Sequence, residues 1–199
     1  MKVVAVVLAA GASSRFGSQK LLANLAGRPV LQHTLDAVAA AGLDDVVVVL
    51  GDGRLAIEAA IVWRGERRVT NGRPGDGLSS SVRVGLDAAA EDDGVAAVVI
   101  VLGDQPAIRP EAIRAVVAAG HDSPAPFVRA AYATDGAPNP VLVRRAAWAM
   151  AAGIAGDRGL GPLLATRPEL VLAVPVPGAN PDVDTPADLA ALQPAEASS

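Results

Sequence analysis

The chain has no cysteine. That excludes disulfide staples, a thiolate nucleophile and any metal centre built on sulfur, and it fits a cytoplasmic setting. Aromatic residues are scarce, with two Trp, two Phe and one Tyr among 199 residues. The core must therefore be built in thin, closely packed layers of smaller side chains, chiefly Ala and Val. Only two histidines occur; His33 falls within a helical pattern and His121 in a polar turn, with no second ligand type spaced for a metal, so both read as structural. No apolar run reaches the roughly 18 residues a transmembrane helix needs, and the run starting at Val3 is too short for a signal peptide. Lys and Arg are scattered, the net charge is −4, and no basic stripe with interleaved aromatics is present, so neither nucleic acid nor membrane is expected as a partner.

What is present is a strong alternation of apolar runs and helical patterns. Val3–Leu8, Asp45–Leu50 and Val95–Leu102 are nearly unbroken apolar segments, as expected for strands buried on both faces of a parallel sheet. Shorter strands are expected at 67–70, 127–132 and 171–176, the last beside the central ones. Helices are expected from Pro29 to Ala41, with Leu31, Leu35 and Val38 inward and Gly42 as the stop. Another runs from Arg54 to about Trp63, with Leu55, Ala59 and Val62 inward. A third follows the serines at 79–81, with Val82, Leu86 and Ala89 on one face. A fourth runs from Pro110, with Ile113, Val116 and Val117 inward and Gly120 as the stop. A fifth spans Arg144 to Gly153, with Trp148 packed. Thr185, Pro186 and Asp188 form a capping box with Pro at the first helical position. This order predicts one three-layer α/β/α domain with a mainly parallel central sheet over residues 1–193, followed by a disordered tail at 194–199.

Ligands of open α/β sheets bind beyond the carboxyl ends of the strands. The first strand leads into Ala9-Ala10-Gly11-Ala12-Ser13-Ser14-Arg15-Phe16-Gly17, then Lys20. Small residues there let backbone N–H groups approach an anion, and the two cations neutralise phosphate. The spacing matches neither the Walker loop nor G-x-G-x-x-G; taken alone, it also reads as a strand-to-helix connection with two solvated cations. The third long strand ends in Gly103-Asp104-Gln105-Pro106, where Asp104 either ligates a hard cation such as Mg²⁺ or closes a turn. Asp182 and Asp184 lie two apart on an extended segment, so they point the same way and suit a second metal contact. Ser79, Ser80 and Ser81 follow a Gly-rich loop and serve as helix caps or as small donors and acceptors for a base or ribose. Asp52 fits a turn.

The segment from Leu8 to Gly17 with Lys20, together with Leu102-Gly103-Asp104-Gln105-Pro106, resembles the signature motifs of the sugar-phosphate and cofactor nucleotidyltransferases. It is most similar to the molybdenum cofactor cytidylyltransferase and guanylyltransferase branch. The resemblance implies a Rossmann-like fold of the nucleotide-diphospho-sugar transferase (GT-A-like) type. It implies that Leu8, Ala9, Ala10, Gly11 and Ser13 wrap the triphosphate of an incoming nucleotide, CTP before GTP. Arg15, Lys20 and Asp104 would carry the catalysis, and Gly75, Ser79 and Ser81 would contact the nucleotide. Mg²⁺ would sit on Asp104 with Asp184 or Asp182. The acceptor, a phosphorylated molecule of molybdopterin type, would meet Gln105, Asn139, Pro140, Asp157 and Arg158, and a recipient enzyme would take the product. The family usually has His where this chain has Asn139, and an Arg two residues beyond Gly159 where it has Gly161. Sugar-phosphate transfer and a non-catalytic nucleotide-binding or delivery module are the alternative readings.

Overall fold

A computed structural model describes residues 1–11, 16–133 and 138–193. The expected tail at 194–199, and the expectations placed on Ser13 and Arg15, lie outside the described residues.

The sheet has seven strands. We number them β1 (Lys2–Ala9), β2 (Asp45–Leu50), β3 (Arg67–Thr70), β4 (Val95–Leu102), β5 (Phe127–Tyr132), β6 (Val141–Arg144) and β7 (Val171–Val176). Their spatial order is β3-β2-β1-β4-β6-β5-β7. Every neighbouring pair is parallel except those made by β6, which runs antiparallel to β4 and β5. β1 lies at the middle of the parallel half, with Val6 opposite Val47 on one side and Ile100 on the other.

The reason for the unbroken apolar runs is now visible. Val3, Ala5, Val7 and Ala9 face one layer and Val4, Val6 and Leu8 face the other, and all are buried. On the first face lie α1 (Val30–Ala41), α2 (Arg54–Ala60) and α4 (Pro110–Asp122), supplying Leu31, Leu35, Val38, Ile57, Ile113 and Val116. On the second lie α3 (Leu78–Ala90), α5 (Trp148–Ala152) and α6 (Gly161–Thr166), supplying Val82, Leu86, Ala89, Trp148 and Leu164. The last helix, α7 (Pro186–Leu192), starts with the expected reciprocal bonds between Thr185 and Asp188.

Several expectations need correcting. Pro29 is not in the first helix. It pairs with Asn24 in a two-residue hairpin whose turn, Ala26-Gly27, has φ of 49° and 83°, the positive values a tight hairpin turn requires. α2 stops at Ala60, and its buried residue is Ile57, followed by Ile61, whereas Leu55 and Val62 are exposed. The cause is Gln32 on α1, whose buried amide accepts from Val62 N at 2.8 Å and draws the chain out of helical geometry. Gly120 does not end α4, which continues through His121 to Asp122. Gly120 is there for packing, since a Cβ would lie 2.8 Å from Leu142 Cδ1. None of the three serines caps α3. Gly77 holds that position, and Ser80 Oγ donates back to Gly77 O at 2.7 Å. The helix expected from Arg144 is a 3-10 turn at Arg145–Ala147 followed by α5, because Arg144 still belongs to β6, opposite Ala97. β7 is an edge strand beside β5, not a central one, which accommodates Pro175, a residue without an N–H for the ladder.

Candidate active site

The carboxyl ends of β1 and β4 are joined beyond the regular ladder. Gly103 N donates to Leu8 O at 2.9 Å, and the buried Thr34 hydroxyl donates to Gly103 O at 3.2 Å. A Cβ on Gly103 would sit 3.0 Å from Leu8 O, and one on Gly51, just past β2, would sit 2.7 Å from Ala10 O. The two glycines thus leave space for the backbone after β1 to pass between the neighbouring strand ends.

Above this junction opens a cavity of about 590 Å³, within the range of small-molecule sites. Its walls include Leu8, Ala9, Ala10 and Gly11 from the end of β1, Lys20 from a 3-10 turn, Gly75 from a second 3-10 turn and Ser81 from the first turn of α3. Asp104, Asp157, Asp182 and Asp184 complete it. Most residues expected on the nucleotide therefore share one cavity. Ser79 does not line it; that residue is fully buried.

The electrostatic centre is Lys20. Its Nζ donates to Asp104 Oδ2 at 2.6 Å and to Asp184 Oδ1 at 2.8 Å. Burial works against the charge on Lys20, but the two carboxylates outweigh burial and hold its pKa above the ordinary lysine value. Asp182 stands on the same wall in a drier setting. Burial, then the like charge of Asp104, pushes its carboxyl up, against the opposing pull of Gln105 and Lys20. The segment carrying both carboxylates is pinned by the fully buried Val183, whose N donates to Asp104 O at 2.9 Å.

A smaller cavity of about 200 Å³ adjoins the first, sharing Leu8, Leu78, Leu102, Asp157 and Asp182. Val82, Ile100, Val141 and Leu160 make it largely apolar, and Asn139 and Arg158 lie at its wall. Asn139, Asp157 and Arg158 thus line one cavity. Pro140 is buried behind Asn139, to which it is joined by a cis peptide bond. Gln105 lines neither cavity. It is fully buried, donates to Asp182 Oδ1 at 2.6 Å and accepts from Asn180 Nδ2 at 2.9 Å. Its place is behind Asp182, holding it.

Two residues at the site escaped sequence reasoning. Asn180 supports Gln105, and Asn71, at the end of β3, supports the serines of α3. Their one signal was position: each is a polar residue just beyond a strand on the carboxyl side of the sheet.

Residues 5–171 match the MobA-like NTP transferase domain. The chain belongs to that family. Among solved structures, this MobA-like chain superposes on Rv0371c of Mycobacterium tuberculosis H37Rv with a TM-score of 0.85 and 31% identity, over 96% of this chain and 97% of that one. A crystal structure of Rv0371c in complex with manganese aligns at 29% identity with a TM-score of 0.83, over 96% of this chain and 98% of that one. A nucleotidyl transferase from Methanothermobacter aligns at 27% identity with a TM-score of 0.80, over 96% of each chain. Among curated proteins, the bifunctional protein GlmU of Desulfitobacterium hafniense is 38% identical over 115 residues, which are 57% of this chain. The matched region spans about a quarter of the length of that relative, 24%. The mostly parallel central sheet flanked by helices is thus that of a Rossmann-like nucleotidyltransferase fold.

Proposed function

We propose that the chain is a divalent-metal-dependent nucleotidyltransferase that joins a nucleoside monophosphate from a nucleoside triphosphate to a phosphorylated acceptor and releases pyrophosphate. The observation that carries this is the convergence of the β1 end, Lys20, Ser81, Asp104 and Asp184 on one cavity of about 590 Å³. CTP is the favoured nucleotide and a molybdopterin-type phosphate the favoured acceptor, on the likeness of the Leu102–Pro106 motif to the cytidylyltransferase branch. GTP and a sugar phosphate follow.

The donor set suits a hard cation. Asp104 and Asp184 place carboxylate oxygens within hydrogen-bond distance of one ammonium, so the same two groups can share a metal ion. Among the described residues no group of three His, Cys, Asp or Glu forms a ready metal cage. That fits a Mg²⁺ or Mn²⁺ site, which takes one or two carboxylates and completes its shell with phosphate oxygens and water. The manganese complex of Rv0371c supports the same choice. Asp104 and Asp184 would hold such an ion, which would supply neutralisation of phosphate charge at the reacting centre.

The chain's own residues do the rest. An oxygen of the acceptor phosphate forms the new bond to the α-phosphorus, and the bond from that phosphorus to the pyrophosphate oxygen breaks. No proton need move, because the attacking phosphate is already anionic, so the absence of Cys and of a Ser–His pair is no obstacle. Lys20, kept protonated by its carboxylates, donates to the phosphates, and the small residues Ala9, Ala10 and Gly11 let backbone N–H groups approach them. Arg15 joins Lys20 on the phosphates by resemblance. Gln105 keeps Asp182 aimed at the cavity, and Arg158 receives the acceptor's anionic group in the adjoining pocket.

Pyrophosphate release should be measured with CTP, GTP, UTP and ATP and Mg²⁺ or Mn²⁺, with and without molybdopterin. Release that needs both CTP and the acceptor is the expected result. Tight binding of a triphosphate with no release under any acceptor would instead mark a binding or delivery module.

A further inference from the structure

Asn71 sits at the end of β3, is 3% exposed, and has no part in the chemistry just described. Its amide orientation is fixed by one contact. Asn71 Oδ1 accepts from Arg73 N at 2.9 Å. A backbone N–H can only donate, so the oxygen of the amide must face it; the reverse orientation would set two donors against each other. The Nδ2 group therefore faces the serines of α3, donating to Ser80 Oγ at 2.7 Å and to Ser81 Oγ at 3.0 Å.

The two serines then differ. Ser80 Oγ accepts from Asn71 and spends its own hydrogen on a carbonyl, Gly77 O at 2.7 Å or Arg73 O at 3.0 Å. Ser81 Oγ also accepts from Asn71, but among the described residues no acceptor receives its hydrogen. Ser81 lines the 590 Å³ cavity. Its hydroxyl hydrogen is therefore available to whatever fills that cavity.

We propose that Asn71 is a specificity-determining positioning residue. By donating to Ser81 Oγ, it keeps the hydrogen of that hydroxyl available to the cavity, so the site favours a nucleobase whose edge presents an acceptor there, a carbonyl oxygen or unprotonated ring nitrogen. This rests on reading the cavity as a nucleoside triphosphate site. Asn71 touches no ligand; its other amide contact, Ser80, lines neither cavity, so it reaches the ligand through Ser81. A carboxylate at position 71 would still accept from Arg73 N, but its second oxygen can only accept. It would call the Ser81 hydrogen toward itself and leave a lone pair facing the ligand, inverting the preference.

The test is isothermal titration of the full chain and of Asn71→Asp, Ser81→Ala and the double variant with CTP, UTP, GTP and ATP, each with Mg²⁺. The wild type should prefer one triphosphate. Ser81→Ala, which leaves the helix free to form, should weaken that one about fivefold, as for loss of one neutral hydrogen bond, and the others less. Asn71→Asp should weaken the same triphosphate at least as much and narrow or reverse the ranking. The double variant should lose no more than Ser81→Ala alone, because the first substitution acts only through the hydroxyl the second removes. Equal weakening of all four triphosphates by Ser81→Ala, or additive losses in the double variant, would overturn the inference while leaving the nucleotide site intact. A wild type that binds none of the four overturns both.

Discussion

The two halves of the sheet are built differently. From β3 to β4 the strands are parallel, the three long ones are almost wholly buried, and β1 and β4 end at the large cavity. In the other half β6 runs antiparallel to both its neighbours, β5 and β7 are parallel to each other, and β7 is half exposed along most of its length. Lys20 and Asp104, past strands of the first half, meet Asp184, past β7, in the large cavity; Pro138, Asn139 and Val141 of the second half, with the loop at 157–161 and the ends of β1 and β4, wall the apolar pocket assigned to the acceptor. Chemistry common to every nucleotide needs a fixed charge geometry, which deeply buried strands provide. The short elements at the margin, where residues can be exchanged at small cost in stability, suit the acceptor choice proposed for them.

That contrast can be broken most directly at Asp104. Asp104→Ala removes a carboxylate from Lys20 and from the proposed metal, and should lower kcat for pyrophosphate release by about a hundredfold or more, on the order of 3–4 kcal/mol in the barrier. Turnover within a few-fold of wild type would take Asp104 out of the mechanism. Next come the strands themselves. Leu142 on β6 is fully buried, so Leu142→Ala should cost about 2–5 kcal/mol in denaturant unfolding. Leu172 on β7 only packs against the core from a partly buried position, and Leu172→Ala should cost clearly less. Equal losses would mean that the margin is as tightly built as the centre.

The same contrast decides what the sequence makes legible. Val3–Leu8, Asp45–Leu50 and Val95–Leu102 declare themselves because burial on two faces leaves no polar alternation, and the Thr185 capping box does so because it is local. The α2 phase does not. Leu55 and Ile57 are equally apolar, and the end of the helix is set by Gln32, thirty residues earlier in the chain. Gly120 reads as a stop and is a packing contact, because a glycine's use depends on what approaches it, here Leu142. At the site, Lys20 and Asp104 stand out as charges beyond strands, while Gln105 and Asn71 act through a neighbouring side chain, which no spacing encodes. The half-exposed pattern of β7, with Pro175 in it, was a sign of an edge.

On the acceptor side, Arg158 is an exposed cation at the wall of the apolar pocket. Arg158→Ala should raise KM for the phosphorylated acceptor about tenfold, the scale of one hydrogen bond to a charged group, with the Kd of the triphosphate unchanged. A matching loss in triphosphate affinity would erase the division between the two pockets.

The smallest effect tests whether surface charge on the nucleotide half contributes to its rigidity. Asp36 on α1 accepts from Arg64 at 2.6 Å, from Gln32 at 3.2 Å and from Arg28. Burial tends to raise its pKa, but these donors outweigh burial and hold its carboxyl below the usual aspartate value. A depressed carboxylate stabilises the fold above the pKa of the unfolded chain, about 3.9, and that contribution is lost as pH falls through the folded value. Asp36→Asn should therefore be less stable than wild type at pH 7, by under about 1 kcal/mol for so partly exposed a group. The gap should close as pH drops below about 4 in parallel urea titrations. A gap that persists unchanged in acid would assign the loss to the geometry of the Gln32 contact, which also ends α2, and not to charge.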